Sequence, residues 1–191
     1  MVIIINLNRE MTNISERYEK LRVIAREVTM ENISHLYQDH SKIILTKIDS
    51  KALQASVGWF DIECSRPRAE WSWKEAARVY RKEYTKRFEM AIWHSGKLCG
   101  LSYGRPSYGK TRLRIELIEG APRAGNSLGP RRVVPITIMN ATAYAGILGA
   151  KELRIMSPVP GLIDYYESLD FTYVETSGAR YYPNFLYKIL K

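Results

Sequence analysis

Cysteine and histidine are scarce in this chain of 191 residues, which holds two of the first and three of the second. Cys64 and Cys99 cannot make a disulfide framework, and three scattered histidines do not make a metal site. Long apolar runs are missing as well. The opening Val2-Ile3-Ile4-Ile5 is too short for a signal-peptide core or a membrane span, and acidic Glu10 follows closely. The expectation is a soluble, cytoplasmic protein without membrane contact. There is no internal repeat and no low-complexity tract, which excludes a repeat array. Acidic residues are outnumbered, 20 against 29 basic ones, for a net charge of +9. That excess favours polyanionic or phosphorylated ligands, such as a nucleotide cofactor or nucleic acid, and says nothing about fold. A hydrophobic share of 46% and a charged share of 26% are ordinary for a globular protein. The length suits one domain over 1–191 with a proper core.

Residues 1–7 read as a short strand or a disordered lead. Asn13-Ile14-Ser15-Glu16 has capping-box spacing, and Ile14, Tyr18, Leu21, Ala25 and Val28 then share a helical face. Thr29 reads as a second N-cap, with Ile33, Leu36 and Tyr37 continuing the pattern. Residues 42–64 are ambiguous, since Ile43-Ile44-Leu45 suits strand or helix. Ser65 to Glu70 reads as a loop. Ser72-Trp73-Lys74-Glu75 is another capping box, and Trp73, Ala76, Ala77, Tyr80 and Tyr84 form an apolar stripe over a helix at about 73–86.

The period then changes. Phe88 to Trp93, a Ser95-Gly96 turn and Leu98 to Tyr103 predict a β-hairpin. A turn at Pro106-Ser107-Tyr108-Gly109 leads into a strand at 111–119, where Leu113, Ile115 and Leu117 alternate onto one face. A loop from Ala121 to Val134 follows, and Pro135 opens a helix ending near Leu148-Gly149. Glu152 to Met156 is a strand, Leu162 to Leu169 a short helix, Phe171 to Val174 a strand, and Tyr181-Tyr182 to Leu190 a last strand. The β-α-β piece at 113–156 requires a parallel pair. The fold class predicted is mixed α/β (α+β), a mostly antiparallel sheet with helices on both faces.

Gly104-Arg105-Pro106-Ser107-Tyr108-Gly109-Lys110-Thr111 matches G-x-x-x-x-G-K-T letter for letter. A phosphate loop needs a helix starting at the lysine, whereas Thr111 to Glu119 alternates like a strand. Hairpin-turn chemistry explains the glycines and proline better.

The order of elements carries a resemblance, with two stretches at its centre: Leu148-Gly149-Ala150-Lys151-Glu152-Leu153-Arg154-Ile155, and Leu162-Ile163-Asp164-Tyr165-Tyr166-Glu167-Ser168-Leu169-Asp170-Phe171. Together they resemble the GCN5-related N-acetyltransferase (GNAT) superfamily, in which a helix ending "LGA" leads into a strand and a later helix ends in a "FYEKLGF"-like sequence. The resemblance covers about 86–190. It divides the chain into a variable helical part at 1–86 and a cofactor-binding core at 87–191. Helices at 13–38 would correspond loosely to the family's first helices, and 42–86 would be an insertion or lineage-specific part.

The resemblance implies a strand at 113–119 that splays from the strand at 152–156. The pantothenate arm of acetyl-CoA would lie in the gap, on the backbone of Ile118, Glu119 and Gly120. Gly129, Arg131, Arg132, Val133 and Val134 would surround the pyrophosphate. The family's loop pattern, Q/R-x-x-G-x-G/A, is not kept: Gly129-Pro130-Arg131-Arg132-Val133-Val134-Pro135 stands in its place. An alternative register uses Ala124-Gly125-Asn126-Ser127-Leu128-Gly129. Arg131 and Arg132 either replace the missing N–H groups by charge-assisted bonds or form a solvated pair.

Acyl transfer to an amine needs a base, and often an acid for the leaving thiolate. Tyr166 matches the family's acid; its other reading is an aromatic that packs helix on sheet. Glu116 and Glu119 are the base candidates, with a Glu116–Arg114 surface pair as the alternative. Cys99 reads as a core thiol, His94 as solvated beside a turn, and Trp59, Trp71, Trp73 and Trp93 as core. The implied activity is acetyl transfer from acetyl-CoA to an amine of a small molecule, a protein or an aminoacyl-tRNA. The alternative is a diverged protein of the same fold that binds or modifies nucleic acid. Its motive is the net charge and the basic residues Arg66, Arg68, Lys74, Arg78, Arg81, Lys82, Lys86 and Arg87. No metal is implied, and a homodimer through the last strand is a further candidate.

Overall fold

The computed structural model describes residues 13–59, 71–122, 126–129, 131–176 and 183–191. The lead at 1–7, Cys64, the loop with Arg66 and Arg68, and Tyr181-Tyr182 lie outside the described residues, as do Arg123, Ala124, Gly125 and Pro130. In chain order the elements are α1 (Ile14–Leu36), β1 (Ile43–Thr46), α2 (Ser50–Val57), α3 (Trp73–Glu83), β2 (Phe88–His94), β3 (Lys97–Pro106) and β4 (Arg112–Gly120). They continue with α4 (Val133–Leu148), β5 (Glu152–Met156), α5 (Ile163–Glu167), β6 (Thr172–Val174) and β7 (Phe185–Ile189). The strands form one sheet in the order β1-β2-β3-β4-β5-β7-β6. Every neighbouring pair is antiparallel except β4–β5.

The caps at Asn13 and Ser72 are formed: Asn13 accepts from the Ser15 amide and Ser72 from the Glu75 amide, satisfying donors that the first helical turn leaves open. Thr29 does not start a second helix. Its hydroxyl donates back to the Ala25 carbonyl at 2.7 Å and accepts from the Asn140 side chain at 3.0 Å, so α1 runs on unbroken. The segment 42–86, read above as an insertion or lineage-specific part, supplies the edge strand β1 and helices α2 and α3.

Two cores flank the sheet. On one face α1 and α4 bury Tyr18, Leu21, Ala25, Ile33, Ile136 and Tyr144 against Phe88, Met90, Leu113 and Ile115. On the other, α2 and α3 bury Ala52, Trp73, Ala77 and Tyr80 against Ala91, Trp93, Leu101 and Tyr103. Helix α4 has no charged side chain over its 16 residues. Its β-branched residues are poor helix formers in isolation, so burial between α1 and the sheet is what makes it a helix. It stops at Gly149, whose φ of +76° suits a glycine C-cap. On α1, buried Arg22 bonds Glu19 and the Thr85 and Arg87 carbonyls, and lies beside Glu89. Glu89 also takes Arg87 and Tyr103. A buried charge is tolerated only when partnered in this way.

The stretch from Gly104 to Thr111 is the end of β3 and a turn, with the Lys110 amide donating to Ser107 and the Ser107 amide to Arg112. Gly104 is needed for close approach: a Cβ there would stand 2.1 Å from the Arg114 carbonyl oxygen. Gly104→Ala should therefore destabilise the fold by about 1–3 kcal/mol. Gly109→Ala, which meets no atom closer than 4.0 Å, should cost less. Urea unfolding of the two variants checks this, and equal midpoints would contradict it.

Candidate active site

The site begins with one extra residue in β4. Tyr103 stands opposite Leu117, but Gly104 stands opposite Ile115, so Glu116 has no counterpart on β3. This is a β-bulge, which bends the strand and turns its faces. On the other edge, β4 pairs with β5 only from Arg112↔Glu152 to Ile115↔Ile155. The bulge and the end of pairing coincide. Beyond Ile115, β4 keeps β3 but has no strand partner on the β5 side among the described residues, and the backbone groups of that edge are left for another partner.

The bulge also corrects the alternation read from sequence. Leu113 and Ile115 face the α1/α4 core, but Leu117 packs on the α2/α3 core and Ile118 on the first. The doublet Leu117-Ile118 was the available signal. Glu119 follows Leu117 and accepts from the Trp73 indole at 2.5 Å. Glu116 accepts from the Tyr80 hydroxyl at 2.5 Å and from Arg105 Nε at 2.9 Å and 3.1 Å. Arg105, not Arg114, is thus its ionic partner, and it stacks 4.4 Å over the Tyr84 ring. Burial, then the Glu116 charge, raise the Tyr80 hydroxyl far above its ordinary value, so it stays a donor. Trp73 and Trp93 are core, and Trp59 and Trp71 pack against it; Trp73 also holds Glu119.

The loop beyond β4 leads to α4. Gly129 has φ +88° and Arg131 φ +62°. The helix starts at Val133, two residues before the predicted Pro135. Proline is equally harmless at the third position, because amides of the first turn have no intrahelical acceptor. Val133 packs over Gly100 and Gly120, where added Cβ atoms would meet its methyls at 2.6 Å and 3.4 Å. The Arg132 guanidinium is already engaged: Nη1 bonds both oxygens of Asp39 at 2.8 Å and 2.9 Å, and the group lies 5.0 Å over Tyr37. Asp39 reaches on to His94 Nε2 at 3.2 Å. His94 Nδ1 is 3.0 Å from the Ser127 hydroxyl, which donates to the His94 carbonyl. His94 is consequently buried rather than solvated, closed over by two loops distant in sequence.

Arg131 is exposed, and its carbonyl accepts from Tyr165 at 3.2 Å, tying α5 to this loop. Tyr166 is buried between Tyr165 and Phe171. Burial, then Tyr165, push its hydroxyl up to about 12, so it is protonated at neutral pH. Cys99 is buried, with its sulfur 3.4 Å from the Lys97 carbonyl, as a core thiol should be.

No family model and no curated protein sequence matches the chain. Solved structures do. Ard1 from Thermoplasma volcanium aligns with a TM-score of 0.56 at 12% identity, covering 78% of this chain and 99% of its own. The spermidine/spermine N-acetyltransferase SpeG from Vibrio cholerae aligns at 0.52 and 17%, over 78% and 94%. The protein yncA from Salmonella typhimurium, solved with its cofactor acetyl-CoA, aligns at 0.51 and 12%, over 78% and 95%. Identities this low speak to the fold alone.

The loop clamp has a pH signature. Desolvation pushes the Asp39 carboxyl up, but Arg132, a backbone amide hydrogen bond and, last, His94 outweigh it and hold it below its ordinary value. A lowered carboxylate contributes stability that is present above its unfolded value, about 3.9, and lost as pH falls through the folded one. Asp39→Asn should therefore lower the melting temperature at neutral pH and flatten its decline below about pH 4. A decline as steep as that of the unsubstituted protein would contradict the clamp.

Proposed function

We propose that this chain, whose fold is that of the GCN5-related N-acetyltransferases, transfers an acetyl group from acetyl-CoA to an amine. The parting of β4 from β5 at Glu116 is the observation that carries the reading. Past that point Ile118 and Gly120 turn their backbone groups to the β5 side, whereas Glu119 between them faces Leu101 on β3, and those two residues offer donors and acceptors that an amide-bearing arm can use. Gly129, Arg131 and the open amides of Val133 and Val134 suit a pyrophosphate at a helix N-terminus. Arg132 contributes by pinning that loop to Asp39, and its guanidinium is committed there. Bound acetyl-CoA supplies an acyl thioester.

Glu116 sits at the bulge with one carboxylate oxygen bonded to Tyr80 and both to Arg105. It takes the proton from the incoming ammonium, directly or through water, and Arg105 holds the carboxylate in place. Glu119, bonded to Trp73, is the second candidate for that base. Tyr166, kept protonated by burial, is the acid that delivers a proton to the departing sulfur. The acceptor is an amine on a small molecule, a protein or an aminoacyl-tRNA.

Calorimetric titration with acetyl-CoA should show saturable binding, weakened roughly tenfold by Arg131→Ala through loss of a charge-assisted contact. No heat at millimolar cofactor ends the reading. With an acceptor found by screening amines for thiol release, Glu116→Gln and Tyr166→Phe should each lower kcat/KM by about 10²–10⁴ with cofactor affinity unchanged. If Glu119→Gln alone does so, the base is Glu119. Since burial raises the Tyr166 hydroxyl to about 12, the rate should not fall on its account below about pH 10.

A further inference from the structure

Charge at the opposite end of β4 is arranged differently. The Tyr18 ring, 4% exposed, has the Arg17 guanidinium carbon 6.0 Å from its centre, with Lys86 Nζ and Lys110 Nζ each at 5.9 Å. Among the described residues none of these three cations has a carboxylate within ion-pair distance. Like charges gathered round one ring repel one another, and a bound anion relieves that repulsion. On the basic helix α3, by comparison, three of the four cations have a partner. Arg78 pairs with Glu75, Arg81 donates to the Ile48 carbonyl, and Lys82 lies 3.5 Å from Glu83.

Lys86 also lines a cavity of about 260 Å³ with Tyr84, Arg105, Ser107 and Tyr108. Glu83 is on its wall, beside Lys82. That volume falls below the ~300–1,000 Å³ of sites that enclose a whole small ligand, and suits one base or phosphate of a longer chain. Arg105 covers one face of Tyr84, whereas Tyr108, at the tip of the β3–β4 turn, is 105% exposed. The turn is the same Gly104–Thr111 stretch whose letters match a phosphate loop; its Lys110 stands at φ +56° in a turn closed by the Ser107 carbonyl.

We propose that Arg17, Lys86, Lys110 and Tyr108 form a docking site for single-stranded nucleic acid. The cations meet successive phosphates, and the free tyrosine face stacks on a base, the combination that binds single strands without sequence preference. A duplex would present phosphates but no open base to Tyr108. The site stands apart from the loop before α4, so acetyl-CoA binding does not depend on it.

Fluorescence anisotropy with a labelled single-stranded RNA of about a dozen nucleotides tests this. At about 50 mM salt the protein should bind, and log affinity should fall against log salt with a slope near −2, about 0.7 for each of three phosphates. The triple variant Arg17→Ala/Lys86→Ala/Lys110→Ala should lose at least about tenfold in affinity and most of the slope. Tyr108→Ala should lose roughly tenfold while keeping the slope. A control removing three exposed lysines elsewhere, Lys74→Ala/Lys151→Ala/Lys191→Ala, should bind as the unsubstituted protein does. Absent binding, equal loss in the control, or a duplex bound as tightly as the single strand would overturn the proposal. Acetyl-CoA titration of the same triple variant should be unchanged, which separates failure of this site from failure of the acetyl-transfer reading.

Discussion

One inserted residue, Glu116, is the constraint on which the rest of β4 depends. A strand with strict alternation would have kept Leu113, Ile115, Leu117 and Glu119 on one face, placing a carboxylate in the α1/α4 core. The bulge sends Leu117 and Glu119 to the opposite face, where Trp73 receives the carboxylate. It requires Gly104, because the β4 backbone approaches too closely for a side chain. It also coincides with the last β4–β5 pair. A local packing solution and an opened backbone edge are thus two consequences of the same event.

The opened edge would have little use without a fixed neighbour. Helix α4 supplies it, held between α1 and the sheet by an uncharged surface and by the Thr29–Asn140 hydrogen bond. The loop before it is pinned from two sides: Asp39 takes Arg132 and His94, and Tyr165 takes the Arg131 carbonyl. These contacts join residues from α1's end, β2, the loop and α5. They make the position of the first α4 amides a property of the whole fold rather than of the loop sequence.

Local chemistry was legible in the sequence. The caps at Asn13 and Ser72, the Gly149 stop and the turn at 107–110 each rest on residues within four positions of one another. The strand–helix–strand order and the parallel pair followed from the periodicity. What escaped was set by distant partners or by a break in period. Thr29 has the residue type of a cap, but a buried amide from α4 reaches it in mid-helix. His94 lies beside a turn and is buried by Asp39 and Ser127, 55 and 33 positions away. Arg132 reads as free for an anion until Asp39 is seen beside it. The bulge left a trace, the Leu117-Ile118 doublet, which a two-residue period reads straight through.

Amide hydrogen exchange over residues 116–120, with and without acetyl-CoA, tests the account most directly. If the edge of β4 beyond the bulge is where the cofactor's arm lies, those amides that face β5 should exchange rapidly in the free protein. They should become strongly protected on adding acetyl-CoA, while residues 112–115, already paired with β5, should change little. Protection in the free protein equal to that of 112–115, or no change at saturating cofactor, would contradict it.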